Sequence, residues 1–455
     1  MSYDGGEAQI PDPVPGAVER VIVIGAGIAG LTAANALTAA EIDTVVLEGR
    51  DRIGGRLYTA DVGGSPIDMG GSWFHTPIGN PLRTFAAQAD IACRPGNFVP
   101  DLSGYDRREQ RRVTDAELAA VTEGLFADFP AAQSELGRRL GPDASLAQAA
   151  DLFVAESGLE AGQARRLRAA IKFINEADAT DYLEVQPAVA ESALIEYEGD
   201  YLGDLPIGGM GWVTAAMASD VEVRLNAAVV AVAVGADGVE VTTADGTAYR
   251  GSHVIVTVPL GVLKHGDIEF SPPLEPQRRA SIDRLTFGRF EKVALRFDRA
   301  FWRDADLSHL VVFPREPHQS AIPILDMDAF GCGPALVAFV FRSATDWLDQ
   351  ATTDEAAAMV CELMSEATGR PCPDPTAVLV SSWGADPYTR GAYTSIPLGA
   401  SSDDIRRLAE PAHGRVLFAG EATSATRLGF ADGAMGAGVR EAKRLLQTGA
   451  VELTT

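Results

Sequence analysis

The stretch from Arg20 to Arg56 constrains the fold more than any other part of the chain. Val21-Ile22-Val23-Ile24 leads into Gly25-Ala26-Gly27-Ile28-Ala29-Gly30. An Ala-rich segment follows, then Thr44-Val45-Val46-Leu47 closing on Glu48, then Gly49-Arg50 and Gly54-Gly55-Arg56. The pattern predicts a strand, a tight turn, a helix and a second strand ending in an acid. Each residue type has a physical reason. Gly25 permits the turn, Gly27 lets backbone N–H groups approach a pyrophosphate, and Gly30 lets the helix lie close to the strand. Ile28 and Ala29 open the helix, where free donors and partial positive charge face phosphates. Glu48 stands at the spacing where a carboxylate accepts hydrogen bonds from a ribose.

Composition narrows the function classes. The chain has 455 residues, 46% hydrophobic and 22% charged, which suits two or three globular domains. Its net charge of −25 argues against nucleic-acid binding, which needs Lys and Arg at the phosphates. The same field would attract a cationic small molecule, although solubility alone also accounts for it. Cys93, Cys332, Cys361 and Cys372 form no CxxC pair, and the histidines are scattered, so no metal site is expected. The N-terminal residues lack a signal-peptide pattern, and no apolar run is long enough to span a bilayer. A cytoplasmic protein with reduced thiols is the expectation. The oligomeric state is left open, a homodimer included.

Residues 1–17 read as a flexible lead. Residues 80–172 read largely as helices, with the basic runs 107–112 and 165–168 as solvated helix faces. Acids then dominate 173–206. Strands follow over 221–258, with hairpin turns at Asp237-Gly238 and Asp245-Gly246. Further strands are expected at 292–297, 309–314 and 335–341, a helix at 353–367, and a last strand Val416–Phe418 leading to Ala419-Gly420-Glu421 and a final helix.

Three further features bear on chemistry. Gly54-Gly55-Arg56 suits close passage of a phosphate-bearing ligand, or is an exposed loop. Gly429-Phe430-Ala431 begins a small-residue helix that could face a polarised ligand or pack tightly on a sheet. Lys292 stands among apolar residues in Phe290–Phe297. Burying it would need partners; facing outward, its stem would snorkel.

Together these blocks resemble the FAD-dependent amine oxidases, the group of monoamine oxidases, polyamine oxidases and flavin-type histone-lysine demethylases. The resemblance runs from about Val21 to Leu446. It rests on Gly25–Gly30, Glu48, Gly54-Gly55-Arg56, Gly70-Gly71-Ser72-Trp73, Leu205-Pro206-Ile207-Gly208-Gly209, Phe287-Gly288 with Lys292, Trp383 with Gly391-Ala392-Tyr393, and Ala419-Gly420-Glu421. It implies that Glu48, with Gly49 and Arg50 beside it, serves the adenosine ribose, and that Val229 contacts adenine through its backbone. Arg56, Gly55, Gly71, Ser72 and Trp73 would line the pyrophosphate and flavin. Pro259 and Trp383 would join them. Gly420, Glu421, Gly429, Phe430 and Ala431 would border the ribityl chain and ring. Lys292 matches the lysine that holds a water beside flavin N5. Tyr393 and Phe430 match the aromatic pair flanking the substrate amine, Phe430 standing where many relatives have Tyr. Ala392 occupies the position of the flavin-linking cysteine of monoamine oxidases, which implies non-covalent FAD. His75 matches a histidine near the flavin and amine in polyamine oxidases. Glu176, Asp178 and Asp181 could hold a distal ammonium of a diamine, or belong to a solvated acidic surface.

The implied fold is α/β: a discontinuous Rossmann-like FAD-binding domain (18–79, 205–279, 386–450) and an α+β substrate domain (80–204, 280–385). The implied activity is oxidation of a polyamine or a primary or secondary monoamine, with O2 returning H2O2. An L-amino-acid oxidase or amine dehydrogenase on the same scaffold is one alternative. A flavin-bearing regulatory protein without catalysis is another.

Overall fold

The computed structural model describes residues 2–3, 12–177, 203–316, 319–448 and 451–455. The β-branched run at the start becomes strand Arg20–Ile24, and Asp43–Leu47 lies beside it. They belong to a five-stranded sheet in the order Glu222–Arg224, Asp43–Leu47, Arg20–Ile24, His253–Val256, Val416–Phe418. Every neighbouring pair is parallel. Numbered along the chain, this is the order 3-2-1-4-5 of a dinucleotide-binding sheet, assembled from three distant stretches. The central strands are apolar throughout because helices or strands cover both faces.

Helix Ile28–Ala39 packs against the C-terminal helix Ala431–Leu446. Small residues make that approach available: a Cβ on Gly438 would lie 2.3 Å from the Ala29 carbonyl oxygen. A Cβ on Gly30 would fall 2.0 Å from the Gly25 carbonyl oxygen, so this glycine serves helix–turn packing. The two readings of the small-residue C-terminal helix thus divide along its length. Its start faces a cavity, and Gly438 is a packing residue.

A seven-stranded sheet forms the second layer, in the order Ala377–Val380, Phe290–Arg296, Ala335–Phe341, Ile322–Asp326, His309–Phe313, Leu102–Asp106, Arg111–Val113. Helices Asp115–Glu123, Phe129–Leu140, Leu146–Glu156 and Ala161–Ala177 share a core with Val311 and Phe313 of this sheet and with Ala321 just before one of its strands. Helix Thr353–Thr368 packs with Val293, Leu295 and Val340 in a separate core. Both Asp-Gly turns close antiparallel hairpins, joining Val229–Val234 to Val239–Thr243 and the latter to Ala248–Gly251. No helix of the described residues is long and apolar enough to cross a membrane.

Three expectations are corrected. The helical reading of 80–172 misses strands Cys93–Pro95, Leu102–Asp106 and Arg111–Val113. The basic runs are not all solvated faces. Residues 107–112 belong to the tip and second strand of a hairpin, and Arg165 and Arg166 are buried. Asp106, wholly buried, accepts from Arg165 Nη2 at 2.6 Å and Arg166 Nη1 at 2.9 Å. Glu109 lies 3.1 Å from each guanidinium, and Glu117 Oε1 accepts from Arg166 Nη2 at 2.7 Å. The acids that neutralise these arginines come from the hairpin and a different helix, which local charge patterning cannot reveal. Within the lead, residues 12–17 are fastened: Val14 is buried, the Asp12 carbonyl accepts from Arg444 and that of Pro15 pairs with His253 Nε2.

Removing one partner of a buried ion cluster strands the others in a low-dielectric interior. Asp106→Ala is expected to cost about 3 kcal/mol, read as a lowered urea midpoint. A wild-type midpoint would mean that water reaches this cluster.

Candidate active site

The carboxyl ends of the parallel strands open into a cavity of about 880 Å³ that continues to the face of the seven-stranded sheet. Ile24, Leu47, Thr257 and Gly420 line it from the first sheet; Phe290, Lys292 and Phe339 line it from the second. This is where an open α/β sheet receives ligands.

At the first end, Gly25 turns the chain with φ of +101°, a backbone conformation that a side chain disfavours. Gly27 caps helix Ile28–Ala39 without any side-chain hydrogen bond, so the first N–H groups have no side-chain acceptor. A Cβ on Gly27 would meet nothing within 4 Å, leaving its backbone open to the cavity. Helix Ala431–Leu446 also begins without a side-chain cap, at Phe430, and Ala431 lines the same cavity. Glu48 is buried; its Oε2 accepts from Ala26 N at 2.7 Å and its Oε1 from Arg50 N at 3.0 Å. Arg50 is held in turn by Asp386 at 2.8 Å.

Between the ends, Arg56 Nη1 donates to the Ala392 carbonyl at 2.6 Å and to Glu421 Oε1 at 2.9 Å. Glu421 also accepts from Thr394 Oγ1 at 3.0 Å and Gly429 N at 3.1 Å.

At the second end, register decides what faces the cavity. Phe290 pairs with Phe341 and Lys292 with Phe339, so these four stand on one side of the sheet. Glu291 points the other way, accepting from Ser381 Oγ at 2.5 Å and Gly384 N at 2.9 Å. Lys292 Nζ donates to the carbonyls of Asp68 at 2.8 Å and Gly70 at 2.7 Å, and to Ser72 Oγ at 2.7 Å. It lies 5.3 Å from the ring centre of Phe339 and 5.8 Å from that of Trp73. Burial pulls its pKa down to about 8, partly countered by Asp68, whose own carboxyl burial pushes up to about 6. His75 meets Phe430 edge to face at 5.3 Å, and Tyr393 lies 6.5 Å from Phe290. Trp383 Nε1 donates to the Met69 carbonyl at 3.0 Å.

All the described residues expected at the site line this cavity except Gly30 and Glu176. Glu176 is buried, bonded to Lys172 and Ser320, and is not part of the lining. Asp178 and Asp181 lie outside the described residues. The sequence reading missed Phe98, Phe173, Ile174, Phe290 and Phe339, all in the wall. Alternation around Phe290/Lys292 and Phe339/Phe341 was the available signal; it becomes legible only once the two strands are paired.

The residues present fit FAD. Two uncapped helix starts offer backbone donors to a pyrophosphate, Glu48 offers a carboxylate to a ribose, and the far end is aromatic. Residues 28–446 match the model of a family described as flavin containing amine oxidoreductase. The chain belongs to that family. FAD is its cofactor. The chain is 33% identical to lysine-specific histone demethylase 1 homolog 3 of Oryza sativa subsp. japonica, over 93% of this chain and 54% of that protein. It is 30% identical to polyamine oxidase 4 of the same plant, over 94% of this chain and 89% of that protein. The chain thus spans about half the length of the demethylase relative and most of the oxidase. A solved structure of a putrescine oxidase variant superposes with a TM-score of 0.76 at 22% identity, covering 95% of this chain and all of that one. The fold of the amine oxidoreductase is therefore that of the FAD-binding amine oxidases.

The depressed pKa of Lys292 has a thermodynamic consequence. Between about 8 and its ordinary 10.5 the folded lysine binds fewer protons than the unfolded one. The resulting gain in stability is complete above that window and lost as pH falls through it. Lys292→Met, compared with wild type by urea unfolding, should abolish this rise. Parallel stability curves for the two proteins would place the ammonium in water.

Proposed function

We propose that this protein oxidises a small-molecule amine at its C–N bond, using non-covalent FAD and returning the electrons to dioxygen. The observation that carries the reading is convergence: His75, Lys292, Tyr393 and Phe430, from four separate stretches, line one end of one cavity. When bound, FAD supplies a two-electron acceptor. The amine loses two electrons and two protons to become an imine, which water hydrolyses to a carbonyl compound and a smaller amine or ammonia. Reduction of O2 to H2O2 consumes the same two electrons and two protons.

The chain's own groups prepare that exchange. Glu48, Gly27 and Arg56 would hold the adenosine and pyrophosphate portions; Glu421, Gly429 and Ala431 would border the remainder. Aromatic walls exclude water, which favours the neutral amine over the ammonium and so frees its lone pair. Tyr393 and Phe430 would flank the nitrogen, stabilising charge that develops on it, with His75 against Phe430. Lys292, held by two carbonyls and a hydroxyl, keeps a proton donor at a fixed point. The methyl of Ala392 has no sulfur with which to link to a flavin. We place 18–79, 205–279 and 386–450 in the cofactor domain, the segments that supply the five-stranded sheet, and 80–204 and 280–385, which supply the seven-stranded sheet, in the substrate domain.

An amino-acid substrate is disfavoured. Arg50, Arg56, Arg390, Arg406 and Arg427 line the cavity, and each already pairs with a carboxylate. The demethylase relative favours a second reading, a methylated lysine on a peptide. We assign the protein to the cytoplasm, without nucleic-acid partners, as a monomer or homodimer.

Anaerobic titration of the yellow protein with monoamines, polyamines, L-amino acids and a methyl-lysine peptide tests this. Bleaching of the flavin band by a free amine is the expected result. Bleaching by the peptide alone would favour the second reading, and no bleaching would refute enzymatic amine oxidation. Lys292→Met should retain FAD yet slow the flavin cycle roughly a hundredfold. Unchanged reduction and reoxidation rates would remove Lys292 from the mechanism.

A further inference from the structure

At the substrate end of the cavity stands a thick aromatic wall, and among the described residues no free carboxylate faces it. Phe98, Phe173, Phe290 and Phe339 line it with Trp73 and Ile174. The rings support one another. Phe290 lies 5.2 Å from Phe339 and 4.7 Å from Phe341; Phe173 lies 5.4 Å from Phe341 behind it; Trp73 meets Phe339 edge-on at 6.1 Å. Such a wall rewards a flat apolar group through buried area and ring contacts.

Among the described residues the cavity offers nothing comparable to a second cation. Among the described residues its carboxylates are Glu48, Asp267 and Glu421, and each faces an arginine: Arg50, Arg390 and Arg56. Glu176, the one described acid expected to serve a diamine, is turned to Lys172 and Ser320. Among the described residues, a distal ammonium carried into this wall would meet no free carboxylate to replace its hydration. Lys292 adds a like charge on the same face.

Resting on the amine-oxidation reading, we infer that the substrate is a monoamine bearing a flat apolar substituent, an aryl- or heteroarylalkylamine, with its ring seated against Phe173, Phe290 and Phe339. Nothing among the described residues of this seat would receive the second ammonium of a diamine or a polyamine. The three phenylalanines are specificity-determining residues and take no part in the bond changes at nitrogen.

The test is anaerobic titration of the FAD-loaded protein with 2-phenylethylamine, putrescine and spermidine, following flavin bleaching. 2-Phenylethylamine should bleach with an apparent Kd at least about tenfold below those of the other two. Phe339→Ala should raise that Kd about tenfold with FAD retained. Phe339→Leu keeps apolar bulk without a ring and should raise it less; it is also the variant to read if Phe339→Ala loses its flavin. Putrescine or spermidine bleaching as well as the aryl amine would overturn the inference while leaving amine oxidation intact. An unchanged Kd in the Phe339 variants would overturn the ring seat. Bleaching by none of the amines would overturn the underlying reading, and this one with it.

Discussion

The carboxylate of Glu421 is the knot on which the rest of this structure depends. It is 4% exposed and receives the Arg56 guanidinium, the Thr394 hydroxyl and the backbone N–H groups of Thr394 and Gly429. Those donors come from the first motif, from the segment returning after the seven-stranded sheet and from the start of the last helix. A buried carboxylate is tolerable only when so surrounded. One side chain therefore fixes how three distant stretches meet, and the middle of the cavity is the space around that meeting.

Much of the cofactor end was legible in the sequence because its constraints are local. Gly25 needs a positive φ, Gly27 an open backbone, Gly30 a close approach, and all lie within six residues. The β-branched runs state their own burial. Substrate-end residues depend instead on pairings across the chain. Phe339 joins Lys292 only through strand register, and Phe173 arrives on a helix whose sequence gives no hint of a cavity. Charge patterning misled for the same reason. Arg165 and Arg166 look like a solvated face until Asp106 comes from a hairpin to meet them. Glu176 looked available until Lys172 and Ser320 took its oxygens.

The lysine illustrates how burial is tolerated. Lys292 keeps its amine in an aromatic surround because two loop carbonyls and a serine hydroxyl replace water around Nζ. These acceptors belong to Asp68, Gly70 and Ser72. Gly70 is required there, since a Cβ would lie 1.8 Å from the Arg56 carbonyl oxygen. The Gly70–Trp73 segment, whose Gly71 N–H donates to the Arg56 carbonyl, thus couples the position of Arg56 to that of the lysine.

The two helices that open on the cavity without side-chain caps also pack on each other through Ala29 and Gly438. Bare helix starts converging on one chamber leave backbone donors reliant on whatever fills it. The vitamin-derived cofactor is then part of the protein's architecture as well as its reagent. Flavin supply during synthesis would govern how much of the chain survives cellular proteases, because ligand binding draws the population away from open, cleavable forms.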